Sequence, residues 1–287
     1  MAIDDSFASR LPGGLFFTSM WGLAMAPINV VVQGVLGKMG QQVLNMTCSE
    51  DGLRAVGGVD LNASADSIAL PDGSGTIPLS ISLDDVIGDA DVVVDFTGAD
   101  GALDAIRAAA PQKVAVVIGS TGSPDSTLRE AEALANEHKV GIMIAPNFAL
   151  GAVVMMHLAK QAAPYFDYAD LIESHNEAKV DAPSGTAVAI AKAAAEGKGG
   201  DFNAPVAEKE VVAGTRGGVF GGVSIHSARM PGRVAHHELV FGALGQALTI
   251  RHDSVSRESF MPGVLMAIRH VVANPGLVVG LDKIMGL

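Results

Sequence analysis

Ile28-Asn29-Val30-Val31-Val32-Gln33-Gly34-Val35-Leu36-Gly37-Lys38-Met39-Gly40 is the stretch that decides the fold. Ile28–Val32 is a short β-branched run, and the chain continues from Gly40 as a helical stretch through about Thr47. Gly34, Gly37 and Gly40 thus fall in a strand-to-helix turn. Glycines there permit a tight turn and let the backbone approach a pyrophosphate seated on the helix N-terminus. The spacing is G-x-x-G-x-x-G, with Leu36 where the commoner G-x-G-x-x-G has its middle glycine. Turns of this kind also occur without a ligand.

Asp60 strengthens the nucleotide reading. It follows the next strand candidate, Leu53–Val59, twenty residues after Gly40, where an acid can accept from ribose hydroxyls. The plain alternative is a solvated acid at a strand end. Asp60 favours NADH, and the Lys38 ammonium, able to pair with a 2′-phosphate, keeps NADPH open.

Further along, residues 61–80 are rich in Ser, Asp, Gly and Pro and read as loop. Asp91–Phe96, Val114–Ile118 and Val140–Ala145 read as strands without polar alternation, the mark of a sheet buried on both faces. Helices near Gly101–Ala110 and from Ser123-Pro124-Asp125 to about His138 separate them, the second with proline at its first turn. The expectation is an α/β fold with a doubly wound parallel sheet. Ligands of such sheets bind beyond the carboxyl ends of the strands. Phe96-Thr97, Gly119-Ser120-Thr121-Gly122 and Ala145-Pro146-Asn147-Phe148 stand at those ends and could line a nicotinamide pocket, or be ordinary turns.

After Phe148 the pattern changes. Gly151–Ala163 reads as a helix, Ala169–Ser174 as a strand, Asn176–Pro183 as a loop and Ser184–Glu196 as an Ala-rich helix. Residues 197–222 are Gly-rich and loop-like. Val223–Arg229, Val234–Gly242 and Gln246–His252 read as strands of an antiparallel or mixed sheet, and Phe260–Ala273 as a closing helix. The first half, residues 27–149, thus reads as a nucleotide domain and the second as an α+β domain.

Glu173-Ser174-His175-Asn176-Glu177-Ala178-Lys179-Val180-Asp181-Ala182-Pro183-Ser184-Gly185-Thr186 is the most informative run. An imidazole and an ammonium stand four residues apart at a strand end. Free amides of Gly185 and Thr186 at a helix start, beside a lysine, suit a carboxylate, and a histidine can exchange a proton. The plain alternatives are a hydrogen-bonded structural histidine and a solvated lysine.

Composition narrows the partners. The chain has 287 residues, 19 Lys and Arg against 31 Asp and Glu, a net charge of -12, and no basic patch, which argues against nucleic acid. Apolar residues make up 49%, enough to exclude wholesale disorder. The single cysteine, Cys48, excludes an internal disulfide and a Cys-based zinc site, so no metal is expected and a reducing cytoplasm is the default. Gly13 to Gly37 is uncharged, but Pro27 interrupts it and Asn29 and Gln33 are polar, so no membrane span is expected. Ala24-Met25-Ala26 has the look of a signal cleavage site, yet Asp4 and Asp5 outweigh Arg10 where a signal needs a positive start. Residues 1–26 are read as a poorly ordered extension, with Met20 or Met25 as alternative starts; were it a targeting segment, the plastid stroma would replace the cytoplasm.

These motifs together resemble the 4-hydroxy-tetrahydrodipicolinate reductase (dihydrodipicolinate reductase) family, over about Pro27 to the C-terminus. The resemblance rests on Gly34–Gly40, Val94-Asp95-Phe96-Thr97, Gly119–Gly122, Pro146-Asn147-Phe148 and above all Lys179-Val180-Asp181-Ala182-Pro183-Ser184-Gly185-Thr186-Ala187. Ile225-His226-Ser227-Ala228-Arg229, Gly232, Ala235-His236 and Phe241-Gly242 add to it. It implies a Rossmann-like nucleotide domain over 27–149 with 259–287 returning to it, a second domain over 150–258 that binds substrate and builds a homotetramer, and hydride transfer from NADH or NADPH to a cyclic dicarboxylate in lysine and diaminopimelate biosynthesis. It places Gly34, Val35, Leu36, Gly37, Lys38 and Met39 in the cofactor loop and Asp60 at the ribose. Gly119, Ser120 and Thr121 with Ala145, Pro146, Asn147 and Phe148 fall near the nicotinamide. The resemblance gives His175 the acid/base role, Lys179 the proton-donor role, and Gly185 and Thr186 the carboxylate-binding amides. Asn176 replaces the second histidine that many members have, which takes a charge from the substrate site. Ser120 stands where threonine is common and Ala149 where serine is.

Other groups weigh less. His236 and His237 are neighbours on a strand and face opposite sides, against joint metal ligation. His252 with Asp253 reads as a polar pair at a strand end. His138, His157 and His270 fall on helices. Gly214–Gly222 with Arg216 lacks the flanks of a phosphate loop and reads as a mobile loop. Two rival functions remain: a reductase of another anionic imine, and a regulatory protein that binds NAD(P)H without turnover.

Overall fold

The computed structural model describes residues 26–120 and 124–287; the expectations for the N-terminal extension up to Met25, and for Thr121, Gly122 and Ser123, lie outside the described residues. The first strand, β1 (Ile28–Gln33), leads into α1 (Lys38–Ser49), and β2 (Leu53–Val59), β3 (Ser67–Ala69) and β4 (Thr76–Ser80) follow. Then come β5 (Val92–Asp95), α2 (Ala99–Ala109), β6 (Ala115–Ile118), α3 (Asp125–His138) and β7 (Gly141–Ile144). The second half holds α4 (Leu150–Ala162), β8 (Tyr168–His175), α5 (Gly185–Lys198), β9 (Gly218–Phe220), β10 (Val223–Arg229), β11 (Ala235–Ala243) and β12 (Gln246–Ser254). It closes with α6 (Met261–Ala273), β13 (Gly276–Val279) and α7 (Asp282–Met285).

Among the described residues the first sheet has eight strands in the order β13-β7-β6-β5-β1-β2-β4-β3. All pairs are parallel except β3 with β4. The reversal of strand order at β1 opens a crevice above the strand ends, where such sheets take ligands. Val30, Val31 and Val32, with Val92, Val93 and Val94, are fully buried, so the β-branched runs face helices on both sides. Each such valine contributes about 1.5–3 kcal/mol by burial. The fold class read from the sequence is the one observed.

Three details differ from the expectation. Residues 61–80 are not all loop, because β4 adds in parallel to β2 through Gly58↔Leu79 and Val59↔Ser80, and β3 pairs back on β4. Leu79 and Ile77 point into the core while Thr76 and Pro78 are exposed, and that alternation over five residues was hidden by the flanking turn formers. Gly218–Phe220, in the Gly-rich stretch, pairs with β10 as an edge strand. After α6 the chain also adds β13 to the first sheet beside β7. Met261, Val264, Ala267, Ile268, Val271 and Leu281 share the first core.

The second sheet runs β12-β11-β8-β10-β9. β8 alternates strictly: Ala169, Leu171, Glu173 and His175 are buried, and Tyr168 and Ile172 are exposed. Helices α4 and α5 pack against this sheet and share its core with Leu171, Ile190, Leu239 and Phe241. A glutamate and a histidine in an otherwise apolar inward row must find polar partners, and they do so at the sheet's end, where the site lies.

Candidate functional site

One cluster surrounds the glycine turn between β1 and α1. Gly34 adopts φ +77 and sits under Thr97 and Phe96, and Gly37 caps α1 with no side-chain hydrogen bond and no acid in the first turn. The first-turn amides of α1 are therefore left for an anion. Asp60 is buried; its Oδ2 accepts from the Leu36 amide at 3.0 Å and its Oδ1 from the Asn62 backbone and side-chain amides at 3.0 and 3.1 Å. It thereby ties the glycine loop to the end of β2. A cleft of about 1160 Å³ opens here, walled by Gln33, Gly34, Gly37, Asp60, Thr97 and Gly98 among others. It exceeds the ~300–1,000 Å³ of ordinary small-ligand pockets.

The other loop residues divide. Val35 turns into the core, its amide donating to the Val59 carbonyl and its carbonyl accepting from Gln41, so its part is packing. Leu36 and Lys38 are exposed and Met39 packs partly on the core. Gly119 faces the Phe96 ring so closely that a Cβ would lie 2.1 Å from it. Ser120 is buried with its hydroxyl unpartnered among the described residues. Ala145 is buried, and Phe148 packs in the core against Phe96 with ring centroids 5.9 Å apart. Pro146 and Asn147 border a smaller groove of about 440 Å³ beside α4 and α7.

Asp95 is the buried acid of the first sheet. Fully buried at the end of β5, it accepts at Oδ1 from the Thr97 hydroxyl at 2.6 Å, while Oδ2 has no partner among the described residues. Burial pushes its carboxyl up to about 6, against the opposing hydrogen bonds from Thr97. An acid whose folded pKa is raised holds its proton more tightly in the folded state, so its contribution to stability is lost as pH rises from about 4 to about 6. Asp95→Asn removes that loss. Its melting temperature is expected to match the wild type's near pH 4 and to exceed it at pH 7.5, by up to about 3 kcal/mol in stability. Thermal unfolding across that pH range checks this, and a variant less stable at pH 7.5 than at pH 4, relative to wild type, contradicts it.

The second cluster of polar groups lies at the ends of β8, β10 and β11. Glu173 is the hub. Its Oε2 meets His175 Nδ1 at 2.5 Å, and Arg229 forks onto both oxygens, Nη1 to Oε2 at 2.9 Å and Nη2 to Oε1 at 2.8 Å. The Ser184 amide donates to Oε1 at 3.2 Å. Burial raises the Glu173 carboxyl, but the hydrogen bonds from Arg229, Ser227 and His175 together more than offset it and hold the group well below the usual carboxylate range. Burial lowers His175, and the Glu173 carboxylate opposes this while the Lys179 and Arg229 charges reinforce it. His175 is therefore mainly neutral at pH 7.

Lys179 reaches Asp181 Oδ1 at 2.7 Å, and its loop is pinned where Arg229 Nη2 donates to the Asp181 carbonyl at 2.6 Å. Asn176 shapes the turn before it, its Oδ1 accepting from the Ala178 amide at 3.1 Å and its carbonyl from the Lys179 amide. Ser184 caps α5 by accepting from the Ala187 amide at 3.1 Å, a contact worth about 1 kcal/mol, and also meets His237 Nε2 at 3.2 Å. Gly185 is exposed at the start of that helix, and Asn147 Nδ2 donates to Thr186 Oγ1 at 3.1 Å. That bond joins the end of β7 to the carboxylate-type amides of α5. His175 and Lys179 are not part of the wall of the large cleft. They share the β8–α5 loop with those amides.

Sequence reasoning passed over Glu173, Arg229 and His237 as site residues. Register brings them in, since Arg229 stands opposite His175 and His237 opposite Glu173. The signal available was an acid in the inward phase of β8. The expected His252–Asp253 pair does not form: strand neighbours face opposite sides, and Asp253 instead meets His236 at 2.7 Å and Arg251 at 2.8 Å. His236 and His237 do face apart.

Comparison with known proteins divides the chain at the same point between β7 and α4. Residues 28–148 match the family model described as dihydrodipicolinate reductase, N-terminus, and residues 151–285 the one described as dihydrodipicolinate reductase, C-terminus. This chain belongs to the dihydrodipicolinate reductase family. A 4-hydroxy-tetrahydrodipicolinate reductase of Dehalococcoides mccartyi is 49% identical over 92% of this chain and 100% of that protein. One from Synechocystis is 42% identical over 90% and 98%. A dipicolinate-bound dihydrodipicolinate reductase structure from Paenisporosarcina superposes with TM-score 0.78 at 37% identity, over 90% of this chain and 99% of that one. Dihydrodipicolinate reductases thus share with this chain both halves, not the nucleotide half alone. Among the described residues no helix is long and apolar enough to cross a membrane.

Proposed function

We propose that the chain reduces 4-hydroxy-tetrahydrodipicolinate to tetrahydrodipicolinate with a reduced nicotinamide cofactor, in lysine and diaminopimelate biosynthesis. The observation that carries the reading is the meeting, in one loop, of Lys179, His175 and the α5 amides of Gly185 and Thr186. The Asn147–Thr186 bond links that loop to the nucleotide half. A cyclic dianion needs fixed cationic and N–H donors, and the otherwise acidic chain concentrates them here.

The glycine loop and α1 would hold the pyrophosphate, and Asp60 the adenine-side ribose. The cofactor, when bound, supplies the hydride. The chain does the rest. Gly185 and Thr186 amides hold one substrate carboxylate, and Lys179 counters the remaining charge. Loss of the ring hydroxyl as water leaves a C=C–C=N system; as its terminal carbon takes hydride, the displaced electron pair takes a proton from the Lys179 ammonium, and His175, its Nδ1–H held by Glu173, re-supplies the lysine by relaying a proton taken up from solvent at Nε2. Asp60 and Asp84 line the cleft together, and two carboxylates disfavour a 2′-phosphate, so NADH is the preferred donor despite exposed Lys38. A coupled assay on the product of dihydrodipicolinate synthase is expected to consume both cofactors, with higher kcat/KM for NADH. Folded protein that consumes neither would falsify the reading, and equal or higher kcat/KM for NADPH would reverse the preference.

The second sheet also supports a homotetramer. Helices α4 and α5 cover its inner face, while Tyr168 and Ile172 stand exposed on the outer one.

A further inference from the structure

We propose that Glu173 is the positioning residue of this site: one buried carboxylate, clamped by Arg229, holds His175, the α5 N-terminus and the Lys179 loop in a single frame. The inference rests on the reductase reading above and adds to it a residue that touches no substrate.

The geometry is closed on the carboxylate. Its side chain is wholly buried, and both oxygens are held: by Arg229 twice, by His175 Nδ1 and by the Ser184 amide, with the Ser227 side chain adding to them. Each contact sets a different part of the site. The imidazole bond fixes Nδ1–H as the donor and leaves Nε2 as the exchanging nitrogen. The Ser184 bond sets where α5 begins, and with it where the Gly185 and Thr186 amides aim. Arg229 carries the fork and the bond to the Asp181 carbonyl on the same Nη2, so the lysine's loop is referenced to the same carboxylate. Had Arg229 been a substrate ligand, its Nη atoms would be free; they are bonded to Glu173, Ala228 and Asp181.

The charged groups around His175 are few. Glu173 stands on its own strand, Arg229 comes from β10, Lys179 from the following loop, and the His237 ring meets it edge-on at 5.3 Å from β11. Burial takes His237 down to about 4, so it adds no charge near neutral pH. Glu173 is the one group in this set that favours the imidazolium.

The test is Glu173→Gln, which keeps size and removes charge, with Glu173→Asp as the charge-retaining rescue. With Glu173→Gln, kcat is expected to fall by about 10–100-fold and the KM for NADH to stay within about twofold. The His175 titration, read from its imidazole nitrogen NMR shifts, moves to lower pH, and Glu173→Asp recovers part of both. A kcat within about twofold of wild type with an unmoved His175 titration overturns the proposal. So does a loss of NADH affinity parallel to the loss of kcat, which marks a general structural role. Should Glu173→Gln not fold, Arg229→Lys keeps the carboxylate and breaks the fork. It is expected to raise the KM for the dicarboxylate several-fold with the NADH KM unmoved, and an unchanged dicarboxylate KM overturns the proposal. A wild type that oxidises no NADH contradicts the reductase reading instead, and the His175 titration then decides the positioning role alone.

Discussion

Lys179→Ala is expected to lower kcat by about 10²–10⁴-fold, the range of a positioned proton donor, while the Kd for NADH moves by no more than about twofold. The reason is placement. Lys179 belongs to the β8–α5 loop and contacts Asp181, not the glycine turn, so its removal leaves Gly34, Gly37 and Asp60 as they are. The substrate KM should rise as well. Without the ammonium, Asp181 loses the hydrogen bond that lowers its pKa, and it stays a carboxylate facing a dianion at neutral pH. Asp181→Ala tests that separately: it removes the repulsion and leaves the proton donor, so its kcat stays far closer to wild type. Steady-state kinetics with NADH binding by calorimetry measures both quantities. Equal losses in kcat and NADH affinity would make the lysine a structural residue.

What the sequence made legible and what it hid have physical causes. The buried parallel strands were readable because Val30–Val32 and Val92–Val94 have no reason to alternate when both faces are covered. β4 was hidden because Thr76–Ser80 is short, holds Pro78 and lies among turn formers, although Ile77 and Leu79 alternate inward. β13 was hidden for a related reason: four residues after a helix carry too little periodicity to read. The loop chemistry of the site was legible because His175, Lys179, Gly185 and Thr186 are close in sequence. Its framework was not. Glu173 and Arg229 are fifty-six residues apart and meet only through the parallel register of β8 and β10. No local pattern encodes that register. An acid in the inward phase of an apolar strand was the available clue, since such a group is stable only when paired and fully hydrogen-bonded.

Gly40→Ala is expected to cost more than about 3 kcal/mol of stability and to abolish measurable NADH binding. A Cβ on Gly40 would lie 2.1 Å from the Gly34 carbonyl oxygen, 2.7 Å from its carbon and 2.8 Å from the Val35 Cα. These are backbone atoms of the turn, and no rotamer can relieve the overlap. Relief requires α1 to move away from β1, which lifts the first-turn amides from the cleft they face. The turn cannot follow, because the Gly34 and Val35 amides both donate to the Val59 carbonyl and Asp60 holds the Leu36 amide. Stability and cofactor affinity should therefore fall together here, unlike at Lys179. The melting temperature is expected to drop by about 6–12 °C. Gly88→Ala, with nothing within 4 Å of its added carbon, supplies the control and should melt as wild type does. A Gly40→Ala protein that keeps its melting temperature and its NADH affinity would show that the helix tolerates displacement, and the third glycine would then have no packing role in this turn.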